Sequence, residues 1–353
     1  MTSTPAAPAP WPSLLEQLLA GGPLTAAQAT TLMGGWLEGA IDPLLSAGLL
    51  VALRANTPRG EELAAMAEVL RRAARPVAAR PVGPLVDTCG TGGDGANTVN
   101  ISTAVAFTAA ACGAKVAKHG NRSASGRVGS ADVLERLAID LQAPADRVVQ
   151  ALDATGVTFL FAPEWHPALA KIAPVRRTLG IRTVFNLLGP LVNPLSPEAQ
   201  VVGVARADLL DPMATALLHL GVNRAVVVHG HGGLDEASLA GASELRRVVA
   251  GTIEADQLQP QSLGLSLAPL QALAGGDQAT NAAILAAVLQ GEGSEAQRDV
   301  VCLNTALVLW AAGVAASIED GLALAREALA SGAAWRTVEH LRQVLPPPVA
   351  TTQ

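Results

Sequence analysis

The chain has 353 residues, with 24 Lys and Arg against 30 Asp and Glu, so its formal net charge is −6 at pH 7. Half of the residues are hydrophobic and 15 % are charged, below the ~25 % usual in globular proteins, which excludes a disordered or fibrous chain. Four Phe, five Trp, no Tyr and an acidic balance leave little for stacking or for a phosphate-backbone footprint, so no nucleic-acid partner is expected.

At about 150 residues per domain the length predicts about two domains. Met1 to Pro12 is rich in Pro, Ala and Thr and is expected to fray, and no Lys or Arg precedes Arg54, so no cationic leader is expected. Leu14, Leu15, Leu18 and Leu19 recur at helical spacing, and Thr25-Ala-Ala-Gln28 reads as an N-cap with Gln at its third position. Further helices are predicted over 43–54 and 61–75, the latter ending before Pro76, which makes residues 11–80 helical throughout. From Val82 short apolar runs at 84–87, 115–118, 157–161, 200–205 and 224–229 take over. Helical patterns at 101–112, 131–141 and 144–154 separate the first three, the alternation of a mostly parallel α/β sheet. After Ser243 a short β-rich stretch precedes helices at 278–290, 295–312 and 318–329. The longest apolar stretch, 306–316, is too short to cross a bilayer, so no membrane is expected. Cys89, Cys112 and Cys302 lack metal-ligand spacing and read as reduced thiols of a cytoplasmic protein.

The polar residues gather behind the strands. Gly90-Thr91-Gly92-Gly93-Asp94-Gly95 follows the first one and fits the dinucleotide pattern. Ala96-Asn97-Thr98 then delays the helix, and the next strand ends in Lys118-His119 instead of an acid, so the dinucleotide reading loses. An anion cradle survives: glycine N–H groups converge, and Asn100, Ser102 and Thr103 add donors at a helix N-terminus. Asp94 would repel bare phosphate; it suits a metal-bound phosphate, or it accepts from a sugar hydroxyl or a loop amide. On spacing alone a glycine-rich turn with an N-cap accounts for the same residues. Lysine is rare, with Lys115, Lys118 and Lys171 against 21 Arg, and Lys118 leads into His119-Gly120-Asn121-Arg122-Ser123-Ala124-Ser125. A compact ammonium at a strand's carboxyl end suits phosphate or pyrophosphate; a solvated basic turn is the plainer account. Gly129-Ser130-Ala-Asp132 opens another helix as an N-cap.

Asp235-Glu236, after the run ending at His229, is either a seat for Mg²⁺ beside substrate phosphates or an exposed acidic loop. His229 and His231 are too close and lack a third ligand, so no zinc site is read. Trp165-His166-Pro167 is taken to begin a helix containing Arg176 and Arg177, either of which can fork onto a carboxylate while spacing leaves both on the surface. No general base stands out.

Together GTGGD at 90–94, NIST at 100–103, KHGNR at 118–122, GSAD at 129–132, HPA with VRRTLGIRTVFNLLGPLVNP across 166–194 and GLDE at 233–236 resemble the anthranilate phosphoribosyltransferases of tryptophan biosynthesis. The resemblance covers nearly the whole chain and is weakest before Ala40 and after Gln290. It implies a small helical domain, 1–81 with a helical insert at about 164–196, hinged to a larger α/β domain, 82–353, and a homodimer through the helical part. The implied reaction moves the phosphoribosyl group of PRPP onto the amino group of anthranilate, releasing pyrophosphate, with Mg²⁺, in two ions.

Carried onto this chain, the resemblance places Gly90, Gly93, Asp94, Thr98, Asn100, Ile101, Ser102 and Thr103 around PRPP. Lys118, His119, Gly120, Asn121, Arg122, Ser123, Ala124, Ser125, Gly126 and Ser130 would complete that shell. Ser102, Asp235 and Glu236 would serve the metal; Gly90, Asn121, Arg176 and His166 would hold anthranilate, with His119 near its path. Gly126 stands where the family commonly has a second serine. A pyrimidine nucleoside phosphorylase is the nearest rival, but its basic motif differs from KHGNR and it has no need of Asp235-Glu236. A nucleic-acid-binding relative is disfavoured by the charge and by the intact motifs.

Overall fold

The computed structural model describes residues 10–122 and 128–348. Four helices come first: α1 (Trp11–Leu19), α2 (Ala26–Glu38), α3 (Pro43–Ala55) and α4 (Gly60–Arg72). The predicted box at Thr25 is present: Thr25 Oγ1 accepts the Gln28 N–H at 3.2 Å, and Gln28 Oε1 accepts the Thr25 N–H at 2.8 Å. These helices bury Leu18, Leu32, Trp36, Leu49 and Met66 in one apolar cluster, which also takes in Phe185, Leu188 and Leu191 from later in the chain.

The α/β part alternates as its hydrophobic pattern requires: β1 (Val86–Gly90), α5 (Ile101–Ala111), β2 (Val116–Gly120), α6 (Ser130–Arg136), α7 (Ala145–Thr155) and β3 (Val157–Phe161). The chain then crosses to the helical part through α8 (Ala162–Trp165), a 3₁₀ turn at Pro167–Lys171, α9 (Ala173–Leu179) and α10 (Val184–Leu188). It returns as β4 (Ala199–Gly203), α11 (Leu210–His219) and β5 (Arg224–His229), then the hairpin β6 (Ser243–Val249) and β7 (Thr252–Leu258). Four helices close the chain: α12 (Gln278–Leu289), α13 (Glu295–Ala311), α14 (Ile318–Ala330) and α15 (Ala333–Val344).

The seven strands lie in the order β3-β2-β1-β4-β5-β6-β7. The pairs from β3 to β5 are parallel and the last two are antiparallel. β1 sends its crossover to β2 on one side, while β4 lies on the other. The chain order therefore reverses between β1 and β4, and in such sheets the ligand crevice forms outside the carboxyl ends of the strands at that point.

The structure differs from the expected elements in several places. The first strand begins at Val86, not Pro84, because proline has no N–H for the ladder, and it runs on through Cys89 to Gly90, in register with Gly203 of β4. The helix expected at 131–141 stops at Arg136, and Ala138 turns with φ +60°. The helix expected to start at Trp165 is two pieces, a 3₁₀ turn and α9, with Pro167 and Pro174 each near a start. α15 went unread.

Candidate active site

The glycine loop leaves β1 at the crevice, and its neighbours explain its glycines. A Cβ on Gly90 would lie 2.1 Å from Asp235 Oδ2, and one on Gly203 would lie 1.5 Å from the Asp235 carbonyl oxygen. Asp235 is thus seated against both strand ends, and its Oδ2 accepts the Gly92 N–H at 2.6 Å. Gly93 has φ +81°, and a Cβ there would meet the Arg182 guanidinium at 1.8 Å. Arg182 also donates to the Thr91 carbonyl, so Asp235 and Arg182 both grip the loop.

Three acids converge beside it. One ligand oxygen each from Asp94, Asp235 and Glu236 lies within 4.8 Å of the others, and Asp94 Oδ1 also accepts the Ala96 N–H at 3.1 Å. Burial, then the charge of Asp94, pushes the Asp235 carboxyl up to about 7. Glu236 is raised well above the usual range by burial and by both neighbouring acids. Asp235 is 7 % exposed, which removes the exposed-loop account of this pair. An all-oxygen set of mutually repelling carboxylates fits a hard cation such as Mg²⁺. Sequence spacing suited Asp94 to a metal-bound phosphate but did not place it beside the pair.

The polar wall continues along α5 and β2. Lys118 is 3 % exposed; its ammonium donates to the Thr88 carbonyl at 2.7 Å and to Ser102 Oγ at 3.1 Å. The strand-end cation is therefore part of the site's floor and not a solvated turn. Buried Asp87 accepts from the His119 N–H at 3.1 Å and from Asn193 Nδ2 at 2.9 Å, and desolvation raises its pKa to about 6. Asn100 Oδ1 accepts from buried Asn281 Nδ2 at 3.0 Å. Thr98 bridges to Ala274, and together with Ile101, Gly120, Asn121 and Ser130 it lines the cleft.

Two residues placed around PRPP sit differently. Thr103 has no exposed surface and lies off the cleft lining, because the first turn of α5 directs it inward. Arg122 reaches the cleft wall, but its guanidinium is bound to Asp132 at 2.9 Å and to Glu135 at 2.6 Å, and it lies 5.5 Å from the Phe161 ring centroid. Ser123, Ala124, Ser125 and Gly126 lie outside the described residues.

The same cleft, of about 480 Å³, becomes apolar where Leu70, Leu169, Phe185, Leu188 and Pro190 form its wall. Arg176 is half-buried there, 4.9 Å from the Phe185 ring centroid, whereas Arg177 is exposed and off the lining. His119 and His166 meet edge-on at 5.2 Å, and His119 Nδ1 lies 3.0 Å from the Gly189 carbonyl. Burial, reinforced by His166, holds the His119 pKa down to about 3, and burial holds His166 down to about 4. Both rings are neutral at pH 7.

Sequence reasoning missed Arg182, Phe185 and Asn281. Arg182 and Phe185 lie inside a quoted motif, so the motif held the signal without a role. Asn281 fell within the helix expected at 278–290 and carried no motif.

Two family models match the chain: the glycosyl transferase family a/b domain over residues 82–335 and the glycosyl transferase family helical bundle domain over residues 12–74. The anthranilate phosphoribosyltransferase of Parasynechococcus marenigrum (strain WH8102) is 63 % identical over 342 residues, covering 97 % of each chain. The crystal structure of anthranilate phosphoribosyltransferase from Thermus thermophilus superposes with a TM-score of 0.88 at 46 % identity, covering 94 % of this chain and 99 % of that one. The Saccharomyces cerevisiae enzyme in complex with PRPP and Mg superposes with a TM-score of 0.86 at 28 % identity, over 96 % and 98 % of the two chains.

Proposed function

The chain belongs to the anthranilate phosphoribosyltransferase family and transfers the phosphoribosyl group of PRPP to anthranilate in tryptophan biosynthesis; from that premise, we propose that the polar end of the cleft holds PRPP and its apolar end holds anthranilate. The observation that carries this assignment is the division of one cleft between three converging acids and a half-buried Arg176 on an aromatic wall.

Asp94, Asp235 and Glu236, with the Ser102 hydroxyl, would hold two Mg²⁺ ions, the cation that the yeast relative carries together with PRPP. Bound there, Mg²⁺ neutralises charge on departing pyrophosphate. The glycine-loop amides, Asn100, Asn121 and Ser130 offer donors to the same ligand, and the Lys118 ammonium lowers the potential for a polyanion from beneath. Arg176 pairs its planar fork with the anthranilate carboxylate, and Phe185 and the aliphatic wall receive the ring. The aromatic amine is a weak nucleophile, and once its bond to the ribose forms it is acidic enough to give its proton to departing pyrophosphate or water without a strong base. Rate enhancement therefore comes from orienting amine against ribose and stabilising the leaving group.

Purified protein supplied with PRPP, Mg²⁺ and anthranilate should consume anthranilate fluorescence. Phosphorolysis of a pyrimidine nucleoside without that loss would instead assign the cleft to a nucleoside phosphorylase. Arg176→Ala should raise the anthranilate KM by roughly ten- to a hundredfold, from ~1.5–3 kcal/mol of lost charge-assisted pairing, with the PRPP KM little changed. Steady-state kinetics on Arg176→Ala and Arg177→Ala decide the pair: a selective effect in the second alone would overturn the choice.

The helical segments 10–81 and 164–196 form one body in this reading, hinged to the rest. Leu44, 85 % exposed, and Val51, 45 % exposed, stand two turns apart on α3, an apolar pair that supports a homodimer through the helical part. Sedimentation equilibrium should give twice the 35.8 kDa chain mass, and Leu44→Glu with Val51→Glu should give the monomer. A double variant that sediments as the wild type would move the interface elsewhere. Among the described residues no helix is long and apolar enough to cross a membrane.

A further inference from the structure

Behind β1, Gly92, Gly93 and Gly95 all have positive φ, and residues without side chains cannot anchor themselves. Asp94 stands among them, so its position is set by whatever holds the main chain around it. The Gly92 N–H is held by Asp235, itself one of the three acids. A second hold comes from a distant part of the chain.

Arg182 lies between α9, which carries Arg176, and α10, which carries Phe185. Both of those neighbours line the anthranilate end of the cleft, yet half-buried Arg182 turns to the polar end. Its Nη2 donates to the Thr91 carbonyl, while its Nη1, Cζ and Nε occupy the place that a Cβ on Gly93 would take. Burial pulls the Arg182 pKa down; the charge of Asp235, and less strongly that of Asp94, works against that shift. The guanidinium is thus set among the acids as well as on the loop.

We propose that Arg182 is a positioning residue for the transfer reaction: through Thr91 and Gly93 it holds the glycine loop in the course that brings Asp94 to Asp235 and Glu236. The segment that supports anthranilate thereby also sets the metal–PRPP end, which rests on the division of the cleft proposed above. A planar fork suits this task, because it can bond a carbonyl and lie along glycine at once. An ammonium, a point donor, cannot do both.

Calorimetric titration of PRPP with Mg²⁺ into the intact enzyme, beside steady-state kinetics, tests the role. Arg182→Met keeps the aliphatic stem and should weaken PRPP about ten- to a hundredfold, the range for a lost charge-assisted contact. The anthranilate KM at saturating PRPP should stay within about twofold of the wild type. Arg182→Lys, with the charge but not the fork, should recover part of the PRPP loss. Joined to Asp94→Asn, Arg182→Met should cost less than the two single losses together, because Arg182 acts through Asp94. A packing role alone predicts a lower Tm with wild-type PRPP affinity. That result, an equal rise in both KM values, or full additivity with Asp94→Asn would each overturn the proposal. If Arg182→Met does not fold, Arg182→Lys carries the same comparisons with a smaller expected loss. Wild-type protein that takes up no PRPP would instead overturn the assignment of the cleft.

Discussion

Lys118→Ala is expected to cut kcat/KM for PRPP by about 10²–10³-fold, the range for removing a preorganised charge-stabilising donor from a dry site. It should also destabilise the fold. Lys118 is 3 % exposed, and its charge favours ionisation of Asp87 and of Glu236. Removing one partner leaves buried carboxylates uncompensated, which costs ~3–5 kcal/mol. Calorimetry should therefore show the Tm falling by roughly 5–15 °C. The conservative Lys118→Arg tests geometry: the ammonium lies 2.7 Å from the Thr88 carbonyl and 3.1 Å from Ser102 Oγ, a space that a planar fork does not fit. That variant should keep most of the stability and lose activity. Wild-type PRPP kinetics in both variants would remove Lys118 from the site.

The double substitution Asp235→Asn with Glu236→Gln should raise the Mg²⁺ concentration for half-maximal rate at least about tenfold and lower the maximal rate, with partial rescue by excess Mg²⁺. Anthranilate binding, which rests on Arg176, should persist. The pH dependence of stability supplies an independent readout. Asp235 titrates near 7 in the folded chain against an ordinary 3.8, so between those values the folded state holds the proton more tightly. Stability of the metal-free enzyme therefore falls as pH rises through that window. Neutral amides escape this loss, so the metal-free double variant should have the higher Tm at pH 8, and the gap should close near pH 5. Mg²⁺ should protect the wild type more at pH 8 than at pH 5, because protons and the cation compete for the same oxygens. A Mg²⁺ titration superimposable on that of the wild type, at equal maximal rate, would sink the metal assignment.

The alternation of strands and helices was legible because buried parallel strands read as short apolar runs, and β5 was placed to the residue at Arg224–His229. Local chemistry was legible at Thr25 for the same reason: capping is decided within four residues. What sequence could not reach was anything set by contacts between distant segments. Asp94 and Asp235 stand far apart in the chain, and only the reversal of strand order between β1 and β4 brings them together. The choice between Arg176 and Arg177 turned on the angle of a short helix, and the burial of Lys118 on the depth of β2 in the sheet. α15 carried a legible signal as well, because Ala334, Val338 and Leu341 recur at helical spacing and are its buried residues.

The seating of Asp235 against Gly90 and Gly203 also constrains how this chain can drift. A single methyl group at either glycine collides with Asp235, yet the two collisions differ in kind. At Gly90 it meets the carboxylate itself, which the Gly92 amide already holds, so tolerance there would require a change at 235 as well. At Gly203 it meets the main chain of residue 235, so no side-chain exchange at 235 can compensate. Position 90 is therefore open to paired substitution at the expense of an acid, while position 203 is closed to every residue but glycine unless the loop after β5 is rebuilt.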